Sequence, residues 1–362
     1  MSVFQYTIFG VSKWFRLDIA SMGVLISVQS FGMLLAPLAI GGQSVRIGKK
    51  KVLLIAYLLF VTGALIAGFT HNLPVFIIAL FVIGAGFSVM EATLSAVLAD
   101  EFPQNAARHL NFSQVGFSAG ALFGPVMAER LLHSGVFIKD FYTYSGMLFL
   151  CLGIVFIFTK QKNDVPDQSS RGYRDIVSLL RNRTFLVLAL CLFVYIGMET
   201  AAPNFGDSYF ELVVFAPELS ATALSLFWGA MIPSRFLAGA INIDGKKLMP
   251  IFLGISILAI VIGMTMQGNT AQLAMFAICG FGFGPLWPLL MNEAAKNNPG
   301  SSGLQMNIMV VFGALGGALY PLISGELADL FSPAVVYYLC AASAFIVLGL
   351  CFRYSRLVKK AQ

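Results

Sequence analysis

Long apolar runs, separated by short polar segments, recur along the whole length of this 362-residue chain. Each run has roughly 20 residues, the length that an α-helix needs to cross the hydrocarbon core of a bilayer. Because polar residues do not alternate with apolar ones inside the runs, the pattern excludes a transmembrane β-barrel. It predicts an all-α polytopic membrane protein with eleven full spans, at 20–40, 51–70, 73–99, 106–133, 141–159, 184–204, 219–241, 248–267, 270–294, 303–328 and 332–352.

Two segments depart from this pattern. Residues 3–17 are apolar and aromatic, but the segment is too short and too polar to predict a span. Residues 160–183 form the one long polar stretch and combine Asp, Ser, Gly and Arg, which is typical of a linker. This stretch, predicted to be cytoplasmic, separates a first membrane region, 1–159, from a second, 184–362.

The two membrane regions are related in sequence. At a shift of 196 residues, Gly84 and Gly86 coincide with Gly280 and Gly282, and further glycines, prolines and asparagines coincide around them. Two homologous membrane halves are typical of a transporter that binds its substrate between them. We therefore expect two repeats with a site near the middle of the bilayer.

The same overlay predicts a difference between the repeats. The predicted helix 184–204 coincides with positions before Met1, so the first repeat is expected to lack most of its first helix. Residues 4–15 coincide with 201–212 and correspond to the outer end of that helix. The expected fold is a pair of six-helix repeats, of which the N-terminal one is incomplete.

Composition and charge placement agree with a membrane protein. The chain is 58% hydrophobic and 11% charged, whereas soluble domains contain about 25% charged residues. Eighteen of the 23 Lys and Arg residues flank the spans on one side and four on the other, so the first side is predicted to be cytoplasmic. The C-terminus is then cytoplasmic, and the expected location is the plasma membrane or a bacterial inner membrane. The net charge of +6 follows from these flanking residues and does not indicate nucleic-acid binding.

Catalytic chemistry is not indicated. The five Cys residues lie inside apolar runs without CxxC spacing, and the three His residues are scattered over different loops, so no metal site is predicted. The glycine-rich stretch 280–284 lacks the Lys-Ser/Thr of a phosphate-binding loop. We expect neither an enzyme nor a cofactor. The expected partners are a small solute, protons and the lipid bilayer, with the chain acting as a monomer.

The loop after the predicted span 20–40 reads GGQSVRIGKKK and resembles the loop signature of the major facilitator superfamily. Arg46 and Lys49 match this signature, whereas Val45 occupies the position of its Asp. The second copy of the loop is shorter and offers Asp244 as a substitute acid. The resemblance implies two six-helix halves that alternate access, with gating roles for Arg46, Lys49 and Asp244.

Three further stretches resemble the fucose/glucose–proton symporter branch of that superfamily. They read GFSVMEATLSA, RHLNFSQVGFSAGALFGP and YIGMETAAPNF. The branch carries a Glu on its fourth helix, a Leu-Asn-x-x-Gln pattern entering its fifth and a Glu on its seventh. These features fall on Glu91, Gln114 and Glu199. The resemblance therefore implies a proton-coupled sugar transporter.

Few ionisable residues lie inside the predicted spans, where each must face a cavity or a partner. Glu91 is a candidate for proton coupling, because a buried carboxyl can exchange a proton as access alternates; the alternative is a hydrogen-bonded carboxyl in the cytoplasmic gate. Glu199, near the helix-bending Pro203, is a candidate for substrate binding or for an extracellular gate. Arg235 is a candidate gating residue that snorkels or pairs across the gate, and it could also hold an anionic substrate.

Uncharged residues complete the candidate substrate site. Aromatic faces suit the C–H faces of sugars, although Trp also packs against lipid and protein. Asn and Gln can hydrogen-bond a solute or join two helices. Proline and glycine at 280–288 are predicted to interrupt the span 270–294, and such an interruption is a sequence sign of a transport site. The candidates for substrate binding are Gln29, Gln114, Glu199, Asn204, Trp228 and Trp287.

These observations favour a secondary active transporter of a small polar solute, a sugar, that works by proton-coupled alternating access. Two alternatives use the same fold. One is efflux of drugs or organic anions, which an available Arg235 would favour. The other is a truncated homologue that does not transport.

Overall fold

The computed structural model describes residues 2–40, 48–101, 106–158, 178–241, 243–296 and 302–361. Within these ranges every regular element is helical. The longer helices are α1 (Ser2–Trp14), α2 (Ile19–Ile40), α3 (Lys49–Phe69), α4 (Leu73–Glu101), α5 (Ala106–His133), α6 (Asp140–Ile157), α7 (Arg183–Asn204), α8 (Ser220–Ala240), α9 (Gly245–Thr265), α10 (Asn269–Phe283), α11 (Leu286–Lys296), α12 (Ser302–Leu330) and α13 (Ala334–Ala361).

Nine helical stretches in the described ranges are long and apolar enough to cross a membrane. They are α2, α3, α4, α6, α7, α9, the pair α10–α11, α12 and α13. Helices α5 and α8 coincide with the other two predicted spans and have 28 and 21 residues. The all-helical membrane fold is therefore confirmed, while the count of eleven spans stays a prediction.

Helix α1 is short. Its 13 residues give a length of about 20 Å, less than the ~30 Å of a hydrocarbon core.

Helix α13 is longer than predicted and continues to Ala361 instead of ending at 352. The added residues are rich in Arg, Leu and Lys, which are strong helix formers. The predicted linker 160–183 lies mainly outside the described residues, and α7 begins at its end.

Glycines allow the helices to approach closely, and the approach is similar in the two parts of the chain. A Cβ atom on Gly84 of α4 would lie 2.1 Å from the carbonyl oxygen of Gln29 in α2. A Cβ atom on Gly280 of α10 would lie 2.0 Å from the carbonyl oxygen of Phe227 in α8. Both distances are too short for any side chain, so each glycine is required by backbone contact between its helix pair.

A second pair of glycines repeats the comparison on the opposite helix face. A Cβ atom on Gly86 would lie 2.4 Å from the backbone nitrogen of Phe60 in α3. A Cβ atom on Gly282 would lie 2.0 Å from the side-chain oxygen of Ser256 in α9. Phe60 and Ser256 are separated by the same 196 residues as the two glycines.

Residues 2–158, which we call the first part, meet residues 178–361, the second part, along several helices. Helix α2 contacts α12 closely, because a Cβ atom on Gly23 would lie 2.2 Å from the carbonyl oxygen of Pro321. Helix α5 contacts α8, where the equivalent atom on Gly229 would lie 2.8 Å from Leu122. The two parts therefore share one packed interface.

The connection between α7 and α8 forms one end of this interface. It consists of a short helix, Gly206–Tyr209, a π-helical turn, Phe210–Val214, and a 3₁₀ turn, Pro217–Leu219. At this end, an ion pair joins Lys13 of α1 to Glu211 of the π-helical turn. We call it the acidic end; the opposite, basic end carries Lys and Arg residues at the ends of α3, α7, α9 and α13.

Candidate functional site

A break between α10 and α11 lies at the centre of the candidate site. Helix α10 ends at Phe283 and α11 begins at Leu286. This confirms the predicted interruption of the span 270–294. Pro288 has no N–H group, so the carbonyl of Gly284, four residues earlier, lacks its usual helical donor. Arg235 of α8 fills this gap, because its Nε donates to the Gly284 carbonyl at 2.9 Å.

Tyr195 of α7 contacts the same break. Its hydroxyl oxygen lies 3.1 Å from the carbonyl oxygen of Phe283 and 2.6 Å from Oε1 of Glu199, one turn further along α7. The ring of Tyr195 is fully buried, so its position is fixed by packing as well as by these contacts. The break therefore carries a cluster of one carboxyl, one phenol and one guanidinium.

Glu199 and Arg235 influence each other without touching. The positive charge of Arg235 is close enough to act on the Glu199 carboxyl. In the part of the chain that the structure describes, however, the two side chains do not form an ion pair, and Arg235 is directed at Gly284. Both side chains are half-buried.

Trp228 joins the two parts of the chain near this cluster. Its indole Nε1 donates to Oε1 of Gln5 in α1 at 3.1 Å, and its ring contacts the edge of Phe117 in α5, with 6.3 Å between centroids. Only 9% of Trp228 is exposed. Gln5 is not among the sequence candidates, and residues 4–15 were predicted only to correspond to the outer end of a helix.

An aromatic row connects Trp228 to the break. Three pairs of rings pack edge to face: Trp228 on Phe227, Phe227 on Phe283, and Phe283 on Tyr195. Their centroids are 5.4, 6.1 and 5.9 Å apart, respectively. Such contacts add about 0.5–1.5 kcal/mol each beyond the burial of the rings. The row therefore holds the cluster at the break in a fixed position relative to α8.

The other predicted substrate-binding residues are spread over several helices. Gln29 is buried beside Gly84 between α2 and α4, and Trp287 is 40% exposed on α11, directly after the break. Asn204 is buried; its Nδ2 donates to the Thr200 carbonyl at 2.6 Å, while its Oδ1 has no partner within the described ranges. Gln114 lies on α5, but its side chain is outside the described part of the structure. The role of each residue stays a prediction.

Glu91, the predicted proton-coupling residue, lies on α4, where its side chain is exposed. None of the contacts described above joins it to the Tyr195–Glu199 cluster. The role of Glu91 in proton coupling therefore stays a prediction.

Two of the predicted gating residues, Lys49 and Asp244, lie towards the basic end, whereas Arg235 lies at the break. Arg46 is outside the described residues. Lys49 occupies the first turn of α3 and is half-buried. Asp244 precedes α9 and forms an ion pair with Lys246 at 3.0 Å. The sequence analysis missed Glu293 of α11, which is buried against the first residue of α9 and accepts a hydrogen bond at 2.9 Å from the hydroxyl of Tyr354.

The acidic end contains a cavity of about 320 Å³ between the two parts of the chain. Burial, together with the negative charges of Glu211 and Glu129, raises the pKa of Asp207 to about 6, while Ser220 and Lys13 oppose the shift. Negative charge therefore prevails in this cavity. Its lining includes Tyr6, Lys13, Glu129, His133, Asp207, Glu211 and Glu218.

Metal binding finds no support in the described ranges, where no group of three His, Cys, Asp or Glu side chains could hold an ion. The five cysteines are free. The chemistry that the cluster at the break can perform is hydrogen bonding, charge pairing and proton exchange.

Residues 1–319 match the family model of the Major Facilitator Superfamily. The chain therefore belongs to this superfamily, which confirms the resemblance found in its sequence, and it is a multi-pass membrane transporter rather than an enzyme.

One similar protein and two similar structures illustrate this membership. The glucose/galactose transporter of Brucella abortus biovar 1 (strain 9-941) is 24% identical over 360 residues, covering 92% of this chain and 84% of that protein. A single-residue mutant of the nucleoside transporter NupG has a similar fold, with a TM-score of 0.78, 12% identity and coverage of 98% of this chain and 96% of that one. A single-residue mutant of the fucose:proton symporter FucP from E. coli gives a TM-score of 0.65, with 18% identity and coverage of 96% of both chains. At these identities the two structures indicate a shared fold only.

Proposed function

We propose that the protein is a secondary active transporter of a sugar or a similar small polar solute, moved together with protons by alternating access. The observation that carries the proposal is the break between α10 and α11, where Tyr195, Glu199 and Arg235 converge. Interrupted helices with polar groups near the bilayer centre are typical of transport sites. The similar glucose/galactose transporter supports a sugar as the solute.

The proposed architecture is two repeats, 1–159 and 184–362, joined by a cytoplasmic linker at 160–183. It has eleven full spans, with the basic end and the C-terminus in the cytoplasm and the acidic end outside, in the plasma or bacterial inner membrane. The equivalent packing of Gly84 and Gly280 supports the repeat. The ion pair between Lys13 and Glu211 supports a conformation in which the two parts meet at the outer side. We propose that the transporter acts as a monomer.

A neutral solute fits this site better than an organic anion. Arg235 would be the residue that holds an anion, but its Nε is bound to the Gly284 carbonyl and its charge already acts on Glu199. An anion would have to compete with both groups. Efflux of drugs or organic anions therefore becomes the second candidate function.

The proposed roles follow from this arrangement. Glu199, Gln29, Gln114, Asn204, Trp228 and Trp287 bind the solute. Glu91 exchanges protons with one side of the membrane. Arg46, Lys49, Arg235 and Asp244 act in gating at the cytoplasmic side.

The proposal is tested by uptake of radiolabelled glucose, galactose and fucose into proteoliposomes with an inward proton gradient. We expect at least one of these sugars to accumulate in response to the gradient, and the Glu91→Gln variant to lose at least about tenfold of that accumulation, equivalent to about 1.4 kcal/mol of coupling. Glu326→Gln, an exposed glutamate of α12, is the matched control and should accumulate the sugar normally.

Three outcomes contradict parts of the proposal. Normal accumulation by Glu91→Gln removes Glu91 from proton coupling. Absence of sugar uptake, combined with proton-driven export of dyes, indicates the efflux alternative. Absence of both activities in folded protein indicates a homologue that does not transport.

A further inference from the structure

One hydroxyl lies between two acceptors at the break. The hydroxyl oxygen of Tyr195 is 2.6 Å from Oε1 of Glu199 and 3.1 Å from the carbonyl oxygen of Phe283. A phenol has one O–H, a backbone carbonyl can only accept, and an ionised carboxylate can only accept. If Glu199 were ionised, one of the two contacts would lack a hydrogen. An acceptor left without a donor in a buried site is destabilising.

A protonated Glu199 resolves this conflict. Its O–H donates to the oxygen of Tyr195, and Tyr195 then donates its own O–H to the carbonyl of Phe283. Both contacts become hydrogen bonds in one continuous chain that ends on the break.

The position of Arg235 supports the same protonation state. An ionised carboxylate inside a membrane protein must be paired, and a guanidinium is its best partner. Arg235 acts on Glu199 through its charge, but within the described ranges its Nε bonds to the Gly284 carbonyl and not to the carboxyl. Arg235 therefore pairs with Glu199 only by giving up its bond to the Gly284 carbonyl.

We propose that Glu199 carries a transported proton, and that Arg235 becomes its partner when the proton leaves. The proposal rests on the proposed proton-coupled transport and adds Glu199 to Glu91 as a second protonatable group. The O–H bond of the Glu199 carboxyl breaks, the proton passes to water in the transport pathway, and the new carboxylate attracts Arg235. Tyr195 and Arg235 are the ionisable groups that face Glu199.

This exchange changes the contacts of the helix break. As Arg235 turns to Glu199, the Gly284 carbonyl loses its donor, and as Tyr195 donates to the ionised Glu199, the Phe283 carbonyl loses its donor as well. The loss of a proton therefore frees two backbone carbonyls at the junction of α10 and α11. Protonation of one side chain is thereby linked to the freedom of α11 to move.

Infrared difference spectroscopy of the purified protein tests the protonation state directly. We expect wild type at neutral pH to show the C=O stretching band of a protonated carboxylic acid, and Glu199→Gln to lack it. Tyr195→Phe should retain the band at a higher frequency, because the acid loses the oxygen to which it donates. Glu91→Gln and the control Glu326→Gln should retain the band unshifted.

Transport measurements separate coupling from binding. We expect the pH dependence of solute exchange seen in wild type to be reduced in Glu199→Gln, because an amide imitates the neutral acid at every pH. Accumulation driven by a proton gradient should fall by at least about tenfold, since no proton is released at this position. Loss of a purely structural or binding role would lower exchange and accumulation together and would leave the pH dependence of exchange as in wild type.

The proposal is overturned if Glu199→Gln still accumulates solute against a gradient, or if it retains the acid band. It is also overturned if Tyr195→Phe leaves the frequency of the band unchanged, a test that does not depend on folding of the Glu199 variant. Failure of the proposed sugar transport gives a different result. In that case wild type exchanges none of the tested sugars, while the infrared band still reports the protonation of Glu199, because that measurement needs no solute.

Discussion

Asp207, at the acidic end, lies outside the spans, and its surroundings oppose its ionisation. Burial is the main cause of its raised pKa of about 6, compared with the ordinary value of 3.8. Glu211 and Glu129 add negative charge, and Ser220 and Lys13 compensate only in part. The folded protein therefore holds a proton on Asp207 more tightly than the unfolded chain does.

The raised pKa of Asp207 makes the folded protein less stable as pH rises. Because the folded state binds the proton more tightly, the free energy of unfolding decreases as pH rises from 3.8 towards about 6, and the penalty is complete above that range. Asp207→Asn removes the penalty, which is at most about 3 kcal/mol. We expect the variant to have a higher Tm than wild type at neutral pH, with a difference that shrinks as pH falls and disappears near pH 3.8, measured by thermal unfolding in detergent. Glu326→Gln should show no such dependence, and a Tm difference for Asp207→Asn that is constant with pH would contradict the assignment.

Among the elements, the helix pairs α2–α4 and α8–α10 are closely constrained by glycine. Gly84 and Gly280 bring two backbones into contact, and in a membrane such packing replaces the hydrophobic driving force between helices. Gly254 of α9 offers a contrast, since a Cβ atom there would meet nothing within 4 Å.

Replacing these glycines by alanine separates packing from helix propensity. Gly280→Ala should lower the Tm of the purified protein by several degrees, because its methyl group would overlap the Phe227 carbonyl and force α8 and α10 apart. Gly254→Ala should leave Tm unchanged or raise it, because alanine favours a helix by up to about 1 kcal/mol over glycine. Equal effects of the two substitutions would contradict the packing role of Gly280.

The helices themselves could be predicted from the sequence, because apolar length is a local property of the chain. The break in the tenth helix could be predicted for the same reason, since its prolines act on their own backbone. The partners at the break could not. Tyr195 and Phe283 are 88 residues apart, and their contact depends on the register between α7 and α10. Tyr195 carries no sequence signal beyond its position one turn before Glu199.

At the scale of the whole molecule, the two parts of the chain are joined at the acidic end by side chains that are far apart in sequence. Lys13 and Glu211 are separated by 198 residues. Their pairing requires that α1, which looked like a remnant in the sequence, packs against the connection between α7 and α8. A transporter that alternates access must break this contact in each cycle.

Cross-linking across the acidic end tests that requirement. Lys13→Cys and Glu211→Cys, introduced together with Cys151→Ser, place two thiols where the ion pair lies. Joining them with a short, reducible bifunctional reagent should abolish solute uptake, and a reductant should restore it. Each single cysteine treated in the same way should retain uptake. Undiminished uptake by the cross-linked protein would show that the two parts do not separate at this end.

The break between α10 and α11 gives α11 a point about which it can rotate as a rigid helix. Its 11 residues span about 16 Å, so a rotation of about 10° at the break moves its far end by about 3 Å, close to the width of a side chain. That far end is held by the bond between Glu293 and Tyr354 of α13. Helix α11 is thus held at both ends, by Tyr195 and Arg235 at the break and by Tyr354 near its far end. A small rotation of α11 at the break would open the basic end only when the hydrogen bond between Glu293 and Tyr354 is broken as well.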